Sequence, residues 1–333
     1  DQLGRKRVAL AAIGIAAVAT LVFLLATGIA WLFVGRALSG LAIGITAGTA
    51  TAWIADVRGQ SSAHRSAVDA TVANFCGLAL GALVAGALAQ YAPAPLRLCY
   101  VVYLVVLAIL ALFVARAGGA GPPTVQGPLG ASLRLRIGVP RGLRAAFFPP
   151  AANAFATFAL LGFYAALTPT VLRDLGVANV AAGGAIVALL CAIAAAAVYA
   201  TSAMGGRRAM RIGLWLLVPS VALLAASHLL GSLPLFLLVS AITGVATALG
   251  YRGSLQSVTE IAPPARRAEL LSSYQIACFG GNALPVIGVG LLSSRLGAKT
   301  ATLGLALLVG ALAVAALAMD VARNRAGAGY STV

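Results

Sequence analysis

The chain has 333 residues, of which 61% are hydrophobic and 9% charged, and 23 Lys and Arg against 7 Asp and Glu give it a formal net charge of +16. A water-soluble domain carries about a quarter charged residues, so this chain has too little polar surface to cover a soluble fold, and lipid must solvate most of it. Its basic residues sit in short loops between apolar runs, with no basic face and no interleaved aromatics, which excludes nucleic acid as a partner and leaves the bilayer.

The chain opens Asp1-Gln2-Leu3-Gly4-Arg5-Lys6-Arg7 and passes directly into an apolar run. An apolar stretch of about 20 residues crosses a bilayer as a helix, because lipid offers the backbone no hydrogen-bond partner. Ten such spans are predicted, at about 7–26, 29–54, 66–90, 97–116, 147–171, 179–203, 209–229, 233–255, 269–293 and 299–322. The break at Ala26-Thr27-Gly28 requires a tight helical hairpin between the first two. No basic, apolar and small-residue cleavage pattern precedes the first span, so no signal peptide is expected.

With residue 1 placed on the cytoplasmic side, 18 basic residues fall inside and 5 outside (Arg36, Arg97, Arg173, Arg295 and Lys299). That bias sets the orientation, and ten spans return the C-terminus to the cytoplasm. The longest polar segment, 118–146, is rich in Gly and Pro and carries Arg134, Arg136, Arg141 and Arg144. It divides an N-terminal bundle (1–117) from a C-terminal bundle (147–322), with a tail over 323–333. Its stretch from Leu133 to Leu143 has two readings, a helix on the anionic leaflet or a solvated linker. Cys76, Cys99, Cys191 and Cys278 form no CxxC pair and read as small apolar residues, so neither a disulfide framework nor a metal site is expected.

A shift of 202 residues superposes Gly4-Arg5-Lys6 on Gly206-Arg207-Arg208, Arg65 on Arg267, Cys76 on Cys278 and Gly86 on Gly288. One offset for all of them points to two parallel structural repeats. The second half then has six spans and the first only four, and the expectation is that two further helices precede residue 1.

The opening Asp-x-x-Gly-Arg-Lys-Arg resembles the loop between the second and third helices of the major facilitator superfamily. Leu32, Arg36, Ser39 and Gly40 repeat the family's Leu-x-x-x-Arg-x-x-polar-Gly pattern on helix four. Gly77, Gly81 and Gly86 are similar to the glycine pattern of helix five in antiporters, with Ala82 in place of Pro, and Pro285 and Gly288 give a similar feature in the second half. The resemblance covers the whole chain. It implies an all-α membrane protein of the major facilitator fold, with ten of twelve helices present, corresponding to helices three to twelve.

The resemblance also implies roles. Asp1, Gly4, Arg5 and Asp56 would form a cytoplasmic latch, with Asp1 facing the positive end of the helix that begins near Ala268. Exposed ion pairs of about 0–1 kcal/mol suit a latch that opens in each cycle; the alternative is that this loop only orients the chain. Arg36, in the outer third of its span, has two readings, a proton-coupling cation or an arginine snorkelling to the interface. The family cavity is lined by helices one, four, seven and ten. Thr46, Thr49 and Trp53, then Asn153, Thr157, Phe158 and Tyr164, then Thr243, Thr247 and Tyr251 fall on single faces of the last three, although isolated Thr residues also bond their own backbone. Gly77, Gly81, Gly86, Pro285 and Gly288 would permit close helix packing. Gln275 and Asn282 read as buried amides that bond between helices or reach the cavity.

All seven acids lie at predicted span ends or in loops, so a coupling carboxylate is expected on the absent helices or at Asp56 or Asp69; Asp69 also reads as an i,i+4 partner of Arg65. The implied function is alternating access, with proton-coupled efflux of small apolar or weakly cationic compounds across a bacterial inner membrane, by a monomer without cofactor. Uptake symport is the alternative. A membrane-embedded enzyme would need clustered acids or a nucleophile–base pair, neither of which the sequence shows, and a non-transporting sensor would carry no flux.

Overall fold

The computed structural model describes residues 5–58, 63–117, 138–263, 266–296 and 298–328. Of residues 5, 48, 50–52, 54–58, 63–64, 66, 96, 268, 293–296, 298–299, 301 and 321–328 it describes the backbone alone. Regular structure among them is helical: α1 (Arg5–Leu24), α2 (Ile29–Arg58), α3 (Ala63–Tyr91), α4 (Pro95–Arg116), α5 (Arg144–Asp174), α6 (Val180–Ala200), α7 (Gly206–Leu229), α8 (Leu233–Ile261), α9 (Arg267–Leu296) and α10 (Ala298–Ala328), with a 3-10 turn at Arg141–Leu143. All ten α-helices are long and apolar enough to cross a membrane.

The helix ends follow from local chemistry. Pro95 opens α4, where a missing N–H costs nothing. The Asn179 side chain accepts from Ala181 N at 2.9 Å to cap α6, and Ser232 Oγ accepts from Leu235 N to cap α8. Gly176 (φ 83°) and Gly231 (φ 62°) take the left-handed conformation that ends α5 and α7. Val177 N then bonds Leu172 O at 2.8 Å and Ser232 N bonds Ser227 O at 3.0 Å, the six-to-one closure of a glycine-ended helix. Most helices outrun their apolar stretches by about a turn; α8 and α10 each run six residues past their predicted ends at 255 and 322, which leaves Arg252 nine residues before the last of α8.

The chain forms two compact units, Asp1–Ala70 with Ala87–Arg134, and Thr71–Gly86 with Leu135–Val333. In the first, α1 packs on α2 and on α4. In the second, α7 packs on α8 and α10, α5 lies against α8, α9 and α10, and α6 lies against α8. The offset of 202 residues holds in the helices themselves. Moved by it, the starts of α1 to α4 fall within two residues of the starts of α7 to α10. The pairings of α1 with α2 and α4 are repeated by α7 with α8 and α10.

The α7–α8 contact is made by glycines, of which only Gly206 stood out from the sequence, and there for the repeat rather than for packing. A Cβ on Gly213 would stand 2.5 Å from Gly250 N, and one on Gly206 would stand 2.7 Å from Gln256 Cβ. Small residues let the backbones meet, which is how helices gain dispersion contact in lipid. Of the linker, residues 118–137 lie outside the described residues. Its end is tied to α9, where Gly138 N donates to Ser273 Oγ at 3.0 Å and Ser273 Oγ lies 3.2 Å from Gly138 O.

Candidate functional site

A buried polar ladder joins α5 to α8. Asn153 is fully buried, and its Nδ2 donates to Gly250 O at 3.2 Å and to Ser254 Oγ at 2.8 Å. Thr157 Oγ1 sits 3.5 Å from Asn153 Oδ1, one turn along α5. The approach needs a glycine, because a Cβ on Gly250 would stand 2.7 Å from Thr157 Oγ1. Bonded in this way, a buried amide and hydroxyl fix the register of two helices rather than cost stability.

Beside the ladder lies a set of aromatic rings. Tyr251 meets Phe158 edge-on at 5.3 Å between centroids, Phe75 of α3 edge-on at 6.3 Å, and Tyr274 of α9 in a stack at 6.4 Å. Tyr274 is fully buried and its hydroxyl donates to Tyr251 O at 3.1 Å. Phe158 and Tyr251 are half-buried. Ring faces of this kind bind apolar groups and attract cations through the ring quadrupole.

The other predicted cavity residues are placed differently. Tyr164 is buried within the second unit, stacked on Phe236 at 5.7 Å, and its hydroxyl accepts from Ser240 Oγ at 3.3 Å. Thr243 and Thr247 are buried on α8. Thr46 and Thr49 donate to Ala42 O and Ile45 O, both at 2.8 Å, so each bonds its own helix. Trp53 is half-buried on α2. Asn282, read from sequence as buried, is exposed, and its Oδ1 flanks Gly162, whose missing Cβ makes the room. Of the packing glycines, Gly86 meets Gly184, with a Cβ on it 2.9 Å from Gly184 Cα. A Cβ on Gly77, Gly81 or Gly288 would meet nothing within 4 Å, and Pro285 is buried in α9. Of the latch, Asp1 and Gly4 lie outside the described residues, and Arg5 and Asp56 are described by backbone alone.

Arg36 is exposed and places its guanidinium carbon 5.9 Å from the centre of the Phe23 ring, which stacks on Tyr100 at 5.7 Å. The second unit holds an ion cluster where α7 begins and a polar cluster around His228 where it ends. Where α7 begins, Asp320 is 2% exposed and accepts from Arg207 Nε and Nη2, each at 3.1 Å, and from Arg211 Nε. Where α7 ends, the buried His228 has Nδ1 3.2 Å from Thr302 Oγ1 and Nε2 3.4 Å from Asp174. From sequence, Asp320 falls at a predicted span end. The structure corrects this: α10 continues to Ala328, and Asp320 is a buried ion-pair partner. Its signal was available in the odd placement of a lone acid, but its partners lie 113 and 109 residues away.

Membrane-length helices repeated at one offset, with buried polar groups joining helices in the second unit, define a polytopic helical membrane protein. The sequence profile of the Major Facilitator Superfamily matches residues 1–284. The chain belongs to that family. Among solved structures, a bacterial homologue of the human lysosomal transporter Spinster, inward-facing and occupied, superposes with TM-score 0.63 at 15% identity, over 94% of this chain and 82% of that one. The inward-facing, unoccupied form gives 0.62 at 17%, over 95% and 83%. The human organic anion transporter MFSD10 (TETRAN) gives 0.65 at 19%, over 93% and 77%. At these identities the likeness is one of fold. No curated protein matches the sequence.

Proposed function

We propose that this major facilitator protein exports small apolar or weakly cationic compounds in exchange for protons, by alternating access in a bacterial inner membrane. Both ends of the described chain would face the cytoplasm, with bundles over 1–117 and 147–322 joined by the 118–146 linker. The observation that carries the cargo class is the half-buried pair Phe158 and Tyr251, backed by Phe75 and Tyr274. It offers ring faces and no fixed charge, which suits lipophilic cations better than sugars or phosphates. Arg36, held over Phe23 on an otherwise apolar helix, is the cation proposed to take part in coupling. The latch of Asp1, Gly4, Arg5 and Asp56 is proposed with it.

Efflux of tetraphenylphosphonium by the full-length protein in everted vesicles tests this reading. Tyr251→Ala is expected to lower the transport efficiency about tenfold, the equivalent of about 1.4 kcal/mol of lost ring contact, while Tyr251→Phe keeps it. Unchanged efflux in Tyr251→Ala would remove the aromatic surface from the site. In the same assay Arg36→Ala should uncouple efflux from the pH gradient, and an unaltered gradient dependence would exclude Arg36. Flux in the opposite direction would establish uptake symport instead.

A further inference from the structure

Arg252 lies nine residues before the last of α8 and is 5% exposed. Its Nη1 donates to Met204 O at 3.1 Å, in the turn that leads into α7. Nε and Nη2 are shut off from solvent and have no partner among the described residues. These two nitrogens form one edge of the guanidinium. It is the edge that grips a carboxylate or a phosphate through two parallel hydrogen bonds. Arg207 uses the same edge, Nε and Nη2, on Asp320. A buried guanidinium left with a single carbonyl is costly, and what offsets that cost is an anion.

A second observation lies on the other side of the tether. Gly205, the residue after Met204, is the N-cap of α7 and supplies no side-chain cap. The first helical hydrogen bond runs from Ala209 N to Gly205 O at 3.0 Å, so the N–H groups of Gly206, Arg207 and Arg208 have no carbonyl within the helix. A helix N-terminus and the edge of a guanidinium both favour negative charge. The N-cap position itself is open, since Gly205 is exposed and a Cβ on it would meet nothing within 4 Å. The nearby acids are committed elsewhere. Asp320 is held by Arg207 and Arg211, and Glu260 accepts from Gln256 at 3.0 Å.

We propose that Arg252 and the first turn of α7 form an oxyanion site, taking a phosphate or carboxylate group at the end of the second unit where α7 begins. The group comes either free in solution or on an anionic lipid. The site uses none of the aromatic side chains and does not depend on the cargo proposed for them.

Thermal unfolding of the purified full-length protein tests the site. In detergent, phosphate is titrated against chloride at constant ionic strength. The wild-type Tm is expected to rise and saturate, and Arg252→Lys, which keeps the charge and loses the fork, should raise the half-saturating phosphate at least about tenfold. Gly205→Asp supplies a carboxylate at the N-cap, where φ is −60° and a side chain is allowed. It should raise Tm without phosphate and abolish the phosphate response, and it decides the matter alone if Arg252→Lys does not fold. In the second arm, nanodiscs of phosphatidylcholine with or without phosphatidylglycerol, in buffer without inorganic phosphate, replace the detergent. A Tm rise with phosphatidylglycerol and none with free phosphate identifies a lipid headgroup, and a rise with free phosphate identifies a soluble oxyanion. Absence of any wild-type response to either probe, or an equal response in wild type and Gly205→Asp, overturns the proposal.

Discussion

Asp320→Ala is expected to destabilise the protein by about 3 kcal/mol, the lower end of the roughly 3–5 kcal/mol that breaking a buried ion pair costs. Asp320 is 2% exposed and accepts from Arg207 and Arg211 together. Without it, two cations on adjacent turns of α7 face each other and the buried flank of α10. The lower end applies because the two side chains keep 49% and 36% of their exposure and partly rehydrate. Asp320→Asn keeps the shape and some hydrogen bonding, so it should cost less. Arg211→Met in the Asp320→Ala background should recover part of the loss by removing one stranded charge. Thermal unfolding in detergent reads all three; a Tm for Asp320→Ala equal to that of wild type would show that the cluster contributes nothing.

Gly213→Leu is expected to separate α7 from α8. A Cβ at Gly213 would stand 2.5 Å from Gly250 N and 2.8 Å from Gly250 Cα, and backbone atoms cannot rotate away as a side chain would. The cost should reach or exceed the upper end of the roughly 1–3 kcal/mol typical of overpacking, since α8 also carries the Asn153 ladder and the Arg252 tether. Gly280→Ala is the control, because a Cβ there meets only Phe155 Cε2, at 3.8 Å. Size-exclusion profiles and Tm should show Gly213→Leu aggregated or sharply destabilised and Gly280→Ala unchanged. A well-behaved Gly213→Leu protein would mean that α7 and α8 are not in backbone contact.

What could be read from sequence followed the range of the physics. Hydropathy acts over a single span, so the ten helices and the hairpin between α1 and α2 were legible, and the internal repeat was visible because Gly4, Arg65, Cys76 and Gly86 share one offset with their counterparts. Pairings across the chain were not. Nothing local marks Asp320 as the partner of Arg207 and Arg211, or Gly213 as the neighbour of Gly250. Arg252 already fell near the end of the predicted span at 255, but nothing local marks Met204 O as its partner. In the predicted cavity set, the face of each helix was legible but not what covers it. Phe158 and Tyr251 meet as rings, while Tyr164, four and seven residues from Leu160 and Thr157 on the same helix, turns into the packed interior against Ser240 and Phe236.

The most direct test of transport by proton exchange is tetraphenylphosphonium flux in proteoliposomes containing the full-length protein, with an imposed pH gradient and with a protonophore. Alternating access coupled to protons predicts saturable, protein-dependent flux that reverses with the sign of the gradient and collapses when the protonophore is added. Flux equal to that of protein-free liposomes, or indifferent to gradient and protonophore alike, would contradict it.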